Sequence, residues 1–516
     1  MPARARLKST RPPGTCFNQD SAVQNQLTSY PRDGAVNGGK PQPSPFPYLR
    51  SIPAQPAAKR TGSGFLFALA ILVSLVLVGR IFDYVLVGYH LPAAICAVAF
   101  LVSLASGGAA QLRNRVGIPL LGLIVWMFLA TPFSSWKGDS ASVVVYFAFF
   151  TLMWLPMAMG PRSFKDIRRL ILLLAVLNVI TLAFTRYDPE GRLRGIGGSF
   201  SNSEDIGLIA IMSIPFWMLI ASQVRLFPLK ILIGLASALF LIRTAALTGS
   251  RATLLAAFGM GVVYFVRSGA SKKMMVILGA LIGIVLIVTT VPDTTLQRLA
   301  SVVDAIEENR DLAIAGSTEA AASAAERQEL LLDSIRISVT HPLFGIGPGQ
   351  FAMYRWNEGK DLGIRKGYLV THNAYTEVSS EDGIIGLIFF VAMVVGTQKT
   401  IQIARKLNSP GSHKDWETGR NIATCLQLSF VCIVICGFFL ANAQYIFWYL
   451  IGGIALALER VTLHRIAQER LESVPQRSPA PYRAEPATGF APVTRVNGRI
   501  AGNGTQSFSK PRLRPL

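Results

Sequence analysis

Between Gly64 and Leu458, long apolar runs alternate with short polar segments. An α-helix needs about 20 apolar residues to cross roughly 30 Å of hydrocarbon, so this pattern predicts membrane-spanning helices. Proline, glycine and clusters of charge mark the ends of the runs. The predicted spans cover residues 64–82, 90–106, 116–133, 142–160, 167–185, 204–222, 228–246, 251–267, 274–291, 383–400, 420–441 and 443–458. We therefore expect an all-α polytopic membrane protein with about twelve transmembrane helices.

Composition agrees with a bilayer as the solvent. Hydrophobic residues make up 51% of the chain, charged residues 15%, and the mean hydropathy is +0.42. Soluble domains carry more charge than this. Four of the five cysteines fall inside apolar runs, so packing is expected of them and no disulfide framework is predicted.

Most of the net charge of +21 lies in the two ends of the chain. Residues 1–60 carry nine Lys/Arg against two Asp/Glu, and residues 459–516 carry ten against four. Both segments are polar and rich in Pro, Gly, Ser and Gln, which predicts disordered basic tails that can contact anionic lipid headgroups. No nucleic-acid recognition module accompanies them, so nucleic acid is not an expected partner.

The charges of the short loops predict the orientation of the chain. With the N-terminus in the cytoplasm, the loops on that side contain sixteen Lys/Arg, whereas the opposite short loops contain five. Cytoplasmic loops carry an excess of Lys and Arg, so both tails are expected in the cytoplasm. About 60 polar residues precede the first span, and this span is expected to remain as an anchor and not to be removed as a signal peptide.

The same count places residues 292–382 on the outer face, between helices 1–9 (64–291) and helices 10–12 (383–458). This stretch has fourteen Asp/Glu and eight Lys/Arg, a different composition from the spans. Its pattern predicts a helix from Ser317 to about Thr340, ended by Pro342. Leu332, Ile335 and Val339 form one stripe of that helix. We expect a folded extracytoplasmic loop that carries the catalytic groups.

Polar motifs concentrate in the outer segments, while the spans contain almost no internal charge. The outer motifs are Arg194 with the glycine-rich segment 195–202, Arg251 to Leu255, Glu326-Arg327, His341 to Gly349, and His372-Asn373. Function is therefore expected at the outer surface.

Three of these motifs resemble those of the O-antigen ligase and O-antigen polymerase family. His372-Asn373, nine residues, Gly383, two residues and Gly386 match its H-N-x9-G-x2-G signature. Arg251 with Leu255 is similar to its R-x3-L element, and residues 341–349 to its H-P-L-x-G-x-G-x-G stretch. Residues 202–204 read Asn-Ser-Glu where the family usually has Asn-Pro-Asn, which leaves the role of that segment open.

The resemblance implies a membrane-embedded glycosyltransferase of the bacterial inner membrane with a periplasmic active site. Its donor would be a glycan on undecaprenyl diphosphate, and its acceptor a hydroxyl of a glycan or of lipid A-core, in lipopolysaccharide O-antigen or exopolysaccharide biosynthesis. A polysaccharide chain-length regulator is a further expected partner. No cofactor is implied. The sequence has no Asp-x-Asp pair to hold a divalent cation, so metal-independent transfer is expected.

The leaving diphosphate needs positive charge. Guanidinium groups are permanently charged and bind phosphate oxygens in a bidentate way. We predict that Arg251 is the main residue in this role, and Arg194 and Arg327 are the next candidates. A snorkelling arginine at a helix end is the alternative interpretation of Arg251.

The attacking hydroxyl needs a base, and His372 is the predicted one because imidazole is largely neutral at pH 7. Asn373 would orient the imidazole or a sugar hydroxyl, with Glu377 one turn further on. Gly383 and Gly386 would let backbone or glycan pass close to the tenth span. The glycines of residues 345–349 lack the context of a phosphate loop, so a turn is expected there, and His341 is expected to be structural.

The sequence leaves several functions open. Ligase, polymerase and oligosaccharide transfer to protein would use the same donor chemistry. A twelve-helix secondary transporter or polysaccharide exporter is the alternative from another class. Transporters usually have polar or broken helices at the midplane and two similar halves, and neither is apparent here.

Overall fold

The computed structural model describes residues 63–79, 91–189, 191–196, 200, 202–293, 296, 317–363 and 366–473. The predicted N-terminal tail, residues 1–60, lies outside this part. A helix overlaps each of the twelve predicted spans. These are α1 (Ser63–Gly79), α2 (Leu91–Leu112, with a π-helical segment at Leu104–Gly108), α3 (Gly117–Ala130), α4 (Lys137–Met159), α5 (Phe164–Ala183), α6 (Ser203–Ser222), α7 (Phe227–Leu247), α8 (Arg251–Arg267), α9 (Ala270–Thr290), α13 (Gly383–Leu407), α14 (Trp416–Cys436) and α15 (Ile446–Ser473).

Eight of the described helices are long and apolar enough to cross a membrane, namely α2, α4, α6, α7, α9, α13, α14 and α15. Helices α1 and α3 are apolar but shorter. The prediction of a mostly helical, multi-pass membrane protein is confirmed at this level. The number twelve stays a prediction, because α5 has charged residues in its first two turns and α8 has 17 residues between two arginines.

Helices α6, α14 and α15 form the centre of the bundle. Their apolar segments are 72%, 67% and 83% buried, against 6% for α9 at the periphery. Polar side chains between the helices bond to one another: Gln398 on α13 and Gln427 on α14 exchange two hydrogen bonds of 3.2 and 2.8 Å. Asn178 on α5 donates to Ser213 on α6 at 2.7 Å. Such hydrogen bonds between helices give partners to polar side chains inside an apolar bundle.

A small hairpin that the sequence pattern did not predict lies between α5 and α6. Strand β1 (Thr185–Tyr187) pairs antiparallel with β2 (Leu193–Gly195). Asp188 accepts the backbone N–H of Arg192 at 2.8 Å and forms an ion pair with its guanidinium at 3.4 Å, which closes the turn. The hairpin fixes the chain just before the N-terminal end of α6.

In the described part of the loop between α9 and α13, residues 317–363 and 366–382, there are three helices: α10 (Ser317–Thr340), α11 (Phe351–Asp361) and α12 (Ala374–Glu381). We call residues 317–382 the outer unit, after the side of the membrane on which the sequence analysis expects them. The predicted bounds of α10 are confirmed. A second, small core joins the helices and consists of Leu330, Ile337, Ile346 and Phe351.

The stripe predicted on α10 lies on its solvent side. Leu332, Ile335 and Val339 are 59%, 45% and 73% exposed. The opposite face packs inward and contains Ser334 and Ile337, both almost fully buried. The inward face of α10 mixes apolar and polar residues, so the apolar stripe does not mark the buried side of this helix.

The C-terminal part of the chain departs from its prediction. Residues 459–473, predicted as the start of a disordered tail, are the last turns of α15. Arg460 donates to the carbonyls of Met159, at 2.9 Å, and Pro161. These contacts hold the helix against the end of α4. Residues 474–516 lie outside the described part.

Candidate functional site

The His372-Asn373 pair stands at the start of α12. The Asn373 carboxamide oxygen accepts the backbone N–H groups of Tyr375, at 2.9 Å, and Thr376, at 3.1 Å, and so caps the helix. Its amide nitrogen donates to the Phe438 carbonyl at 3.3 Å. This gives Asn373 a capping role, and the predicted contact with the imidazole is not observed. The segment is thereby fixed to the end of α14.

His372 has an unusual backbone conformation. Its φ is +51°, and it is the one non-glycine residue with positive φ in the part of the chain that the structure describes. Positive φ is uncommon for residues other than glycine, although histidine, like Asn and Asp, adopts it more often than most residues do, and surrounding contacts are needed to hold it. The Asn373 cap and the bond from Ala374 N–H to the Gly437 carbonyl, at 2.7 Å, impose it here. The imidazole is thus placed by the fold of both α12 and α14.

The side chain of His372 approaches a carboxylate from another part of the chain. Its Nδ1 lies 3.7 Å from Oε2 of Glu204, in the first turn of α6. The other oxygen of Glu204 accepts a hydrogen bond from the guanidinium of Arg327 on α10. The side chains of His372, Glu204 and Arg327 are 27%, 12% and 33% exposed. The structure therefore joins two of the predicted site residues through a third that the sequence analysis did not select.

The surroundings lower the pKa of His372 below its usual value. Burial is the largest cause, because it disfavours the charged imidazolium, and the charge of Arg327 acts in the same direction. The carboxylates of Glu204 and Glu326 oppose the shift. His372 is accordingly neutral at pH 7 and able to accept a proton.

Arg251 is the first residue of α8 and is half-buried. Ser250 caps this helix by accepting the N–H of Thr253 at 3.3 Å. Gly207, the fifth residue of α6, lets the Thr253 side chain approach the backbone closely. The start of α8 therefore lies one turn along α6 from Glu204, and Arg251 is at the same end of the bundle as His372.

Arg194 lies on β2, directly opposite Arg186 in the hairpin register. Strand β2, which carries Arg194, packs against α6, the helix whose first turn carries Glu204. Arg186 is exposed and Arg194 half-buried. Like charges directly opposite each other destabilise a strand pair.

Beneath His372, α12 directs carboxyl groups into the protein. Glu377 accepts the N–H of Ala443 at 3.1 Å, and Glu381 accepts the N–H groups of Gly349, at 2.8 Å, and Phe351, at 3.1 Å. These two and Asp382 line a cavity of about 10 Å³, the space that one water molecule needs. Asp382 is 4% exposed, and its Oδ1 has no hydrogen-bond partner among the described residues.

Burial raises the pKa of all three carboxyl groups. The pKa of Glu381 rises to about 7, and those of Glu377 and Asp382 rise well above their usual values. Mutual repulsion adds to the shift of Glu377 and Asp382, because each lies near the charge of Glu381. Glu377, predicted to support the site, thus belongs to a buried cluster of carboxyl groups with raised pKa that faces α15.

The glycines of the signature serve close backbone approach. Gly383 has φ of +74°, and a side chain there would collide with the Leu343 carbonyl. The Ile384 N–H donates to the Pro342 carbonyl at 2.8 Å. Gly386 likewise packs near Trp126, whose indole N–H donates to the Asp382 carbonyl at 2.8 Å. The sequence analysis expected these glycines to let either backbone or glycan pass close to the helix, and the structure shows backbone there.

Residues 341–349 form turns, as predicted, and dock onto α12. The backbone N–H of Gly347 donates to the Glu381 carbonyl at 3.0 Å. Phe344 stacks on Phe133 with the ring centroids 4.2 Å apart. His341 contacts Thr340 through Nδ1 at 2.9 Å and the ring of Tyr354, which agrees with a structural role.

Within the described ranges, no group of three or more His, Cys, Asp or Glu side chains has an arrangement that could hold a metal ion. Metal independence stays a prediction. The buried cysteines are free, and Cys432 and Cys436 pack between α14 and α8, consistent with their predicted packing role.

The sequence analysis missed Glu204, Glu381 and Asp382. An acidic residue in the first turn of a helix is ordinarily explained by the helix dipole, so Glu204 gave no separate signal. Glu381 and Asp382 stand just before an apolar span, where acidic residues usually face water.

A protein-family model described as O-Antigen ligase matches residues 235–391. The match covers Arg251, Arg327, His372 and the two signature glycines, and it confirms the resemblance expected from the motifs. Arg194 and Glu204 precede it. No curated protein matches the chain.

Proposed function

We propose that this chain, whose residues 235–391 belong to the O-antigen ligase family, transfers a glycan from an undecaprenyl-diphosphate-linked donor to an acceptor hydroxyl at the outer face of the bacterial inner membrane. The family supports enzyme chemistry of the ligase or polymerase type and does not favour the transporter. The donor, the acceptor and the metal-independent mechanism are parts of the proposal.

One observation carries the proposal. His372 and Arg327 come from separate parts of the outer unit, and both contact one carboxylate at the end of α6. A neutral imidazole beside a guanidinium is what transfer from a lipid diphosphate requires, since one group takes a proton and the other stabilises an anionic leaving group.

The reaction is a displacement at the anomeric carbon. The acceptor oxygen forms a bond to this carbon while the bond to the diphosphate oxygen breaks. The proton of the acceptor hydroxyl goes to His372, and undecaprenyl diphosphate leaves with the electron pair. Nδ1 of His372 faces Glu204, so Nε2 is the nitrogen that accepts the proton.

Arginines would stabilise the leaving diphosphate. Arg251 begins a helix at the same end of the bundle, which puts its guanidinium at headgroup depth if α8 spans the membrane. Arg194 is on β2, which packs against α6, and Arg327 on α10 donates to Glu204 in the first turn of α6. Together the three would surround an anion above the membrane surface.

The proposed topology has twelve spans, both termini in the cytoplasm and the outer unit in the periplasm. The distribution of Lys and Arg among the short loops supports it. The outer leaflet then supplies the polyprenyl donor at the depth of Arg251 and His372.

A transfer assay with membranes tests the proposal. His372→Ala should abolish transfer, and His341→Ala, a loop histidine outside the site, is the matched control that should retain it. Arg251→Lys should lower turnover roughly 10²-fold, because lysine keeps the charge but loses the bidentate contact. Transfer should persist in EDTA. Full activity of His372→Ala, with membrane insertion intact in both variants, would remove this residue from the mechanism.

The acceptor class needs a separate experiment. Loss of the chain should leave single-repeat products on lipid A-core if the enzyme is a polymerase. If it is a ligase, uncapped core should accompany lipid-linked polymer of normal length. Unchanged surface glycan would contradict both.

A further inference from the structure

Glu204 is the unexplained group at the site. Its carboxylate is 12% exposed and lies in the first turn of α6, where favourable interaction with the helix dipole accounts for its presence. The helix dipole does not account for the direction in which the Glu204 carboxylate points. The two oxygens point to two different side chains of the outer unit, one to Arg327 and one to His372.

The geometry toward His372 favours one protonation state. A separation of 3.7 Å is too long for an ordinary hydrogen bond to a neutral imidazole. It is short enough for an ion pair once the ring carries a proton. The attraction is therefore strongest after His372 has taken the acceptor proton, so it stabilises the transition state more than the resting site.

We propose that Glu204 is the positioning residue of the transfer site: it orients the Nδ1 edge of His372, stabilises the imidazolium formed during transfer, and holds Arg327 at a fixed distance from the base. The inference rests on the proposed function for its chemistry. The interaction between Glu204 and His372 can be tested without measuring glycan transfer.

Other charged groups surround the imidazole and define the controls. Glu326 and Arg327 face it from α10, and Glu204 from α6. Asp205, next to Glu204, accepts the Tyr445 hydroxyl at 2.7 Å. Glu326 is exposed and raises the pKa of His372 less than Glu204 does. Glu326→Gln is thus a matched control that removes one carboxylate from the same surroundings.

The first test follows the imidazole directly. The chain has five histidines, so the His372 ring signal can be assigned by its loss in His372→Gln and titrated by NMR in the full-length protein. Glu204→Gln should move the His372 midpoint to lower pH by on the order of one unit, as expected for losing a carboxylate about 4 Å away. Glu326→Gln should move it less. An unchanged midpoint in Glu204→Gln would overturn the proposal.

The second test is kinetic. Glu204→Gln should lower kcat roughly 10²-fold and move the acid limb of the rate profile to lower pH. Glu204→Asp, which keeps the charge, should keep the acid limb near its original position and recover part of the rate. A lower rate with an unmoved acid limb in Glu204→Gln would show a merely structural role and contradict the proposal.

The two proposals fail in different ways. If Glu204→Gln shifts the His372 titration while His372→Ala transfers normally, the pairing stands and the proposed base is wrong. If His372→Ala is inactive while Glu204→Gln changes neither titration nor rate, the base stands and the positioning role is wrong.

Discussion

Replacing Arg355 with methionine tests how the outer unit is held together. The guanidinium is almost fully buried and donates to Asp333 at 3.0 Å, to Glu329 at 2.6 Å and to the Gly367 carbonyl at 3.2 Å. Methionine removes all three bonds. Asp333 keeps Lys366, at 3.4 Å, so its charge is not left alone.

The stability lost in Arg355→Met follows from the burial of the guanidinium group. Breaking a buried ion pair by removing one partner costs about 3–5 kcal/mol. The remaining cations near Asp333 place Arg355→Met at the lower end, about 3 kcal/mol, which is on the order of a 10²-fold change in the equilibrium of local opening. The Gly367 carbonyl precedes the segment that leads to His372, so transfer activity should fall as well.

Hydrogen exchange in lipid nanodiscs measures this opening. Amides of α10 and α11 should exchange on the order of 10²-fold faster in Arg355→Met, while those of α14 should not change. Arg336→Met is the matched control from the same network. Arg336 contacts Glu358 at 2.7 Å, but its side chain is 44% exposed, so its loss should cost less than about 1 kcal/mol. Equal effects of the two variants would refute the burial argument.

Three further predictions concern α12 and its surroundings. Asn373→Ala should cost about 1 kcal/mol of local stability by loss of the cap, measured by hydrogen exchange of α12, and should lower transfer more than its effect on protein amount explains. Burial raises the pKa of Glu381 from 4.5 to about 7, so the folded protein holds the carboxyl proton more tightly than the unfolded chain does. The stabilisation that this proton gives to the fold is fully present below pH 4.5 and is lost as pH rises through about 7. Thermal stability should fall over that window, and the fall should flatten in Glu381→Gln. Gly383→Ala should destabilise the outer unit strongly because its φ is positive and the Leu343 carbonyl occupies the space, whereas Gly363→Ala, with positive φ but open space, should cost only the backbone strain in the same melting assay.

Apolar run length and end signals were sufficient to locate most of the fold. Ser317 and Pro342 bracket α10 as predicted, since a serine can begin a helix and a proline cannot continue one. The span positions follow from hydrophobicity alone, because every helix in a bilayer must satisfy its own backbone. The hairpin around Arg192 was not predicted, because a three-residue strand is too short to show the alternation of apolar and polar residues by which strands are recognised.

The site could be predicted only in part. His372 and Arg251 were selected through motif spacing, which is local in sequence, and Arg194 and Arg327 through their places in segments expected on the outer face. Glu204 contacts Arg327 across 123 residues, and no local pattern reports such a pair. The buried side of α10 was also hidden, because Asp333 and Ser334 face inward there and form ionic and hydrogen bonds.

The central claim is that His372 works on the outer side of the membrane, where the lipid-linked donor is exposed. The direct test is His372→Cys in a chain freed of its own five cysteines, labelled in spheroplasts with a membrane-impermeant thiol reagent. Ser409→Cys, an exposed position in the loop between α13 and α14, is the control from the opposite face. The account predicts labelling at residue 372 in intact spheroplasts and at residue 409 only after permeabilisation. Labelling of residue 372 only after permeabilisation would contradict it.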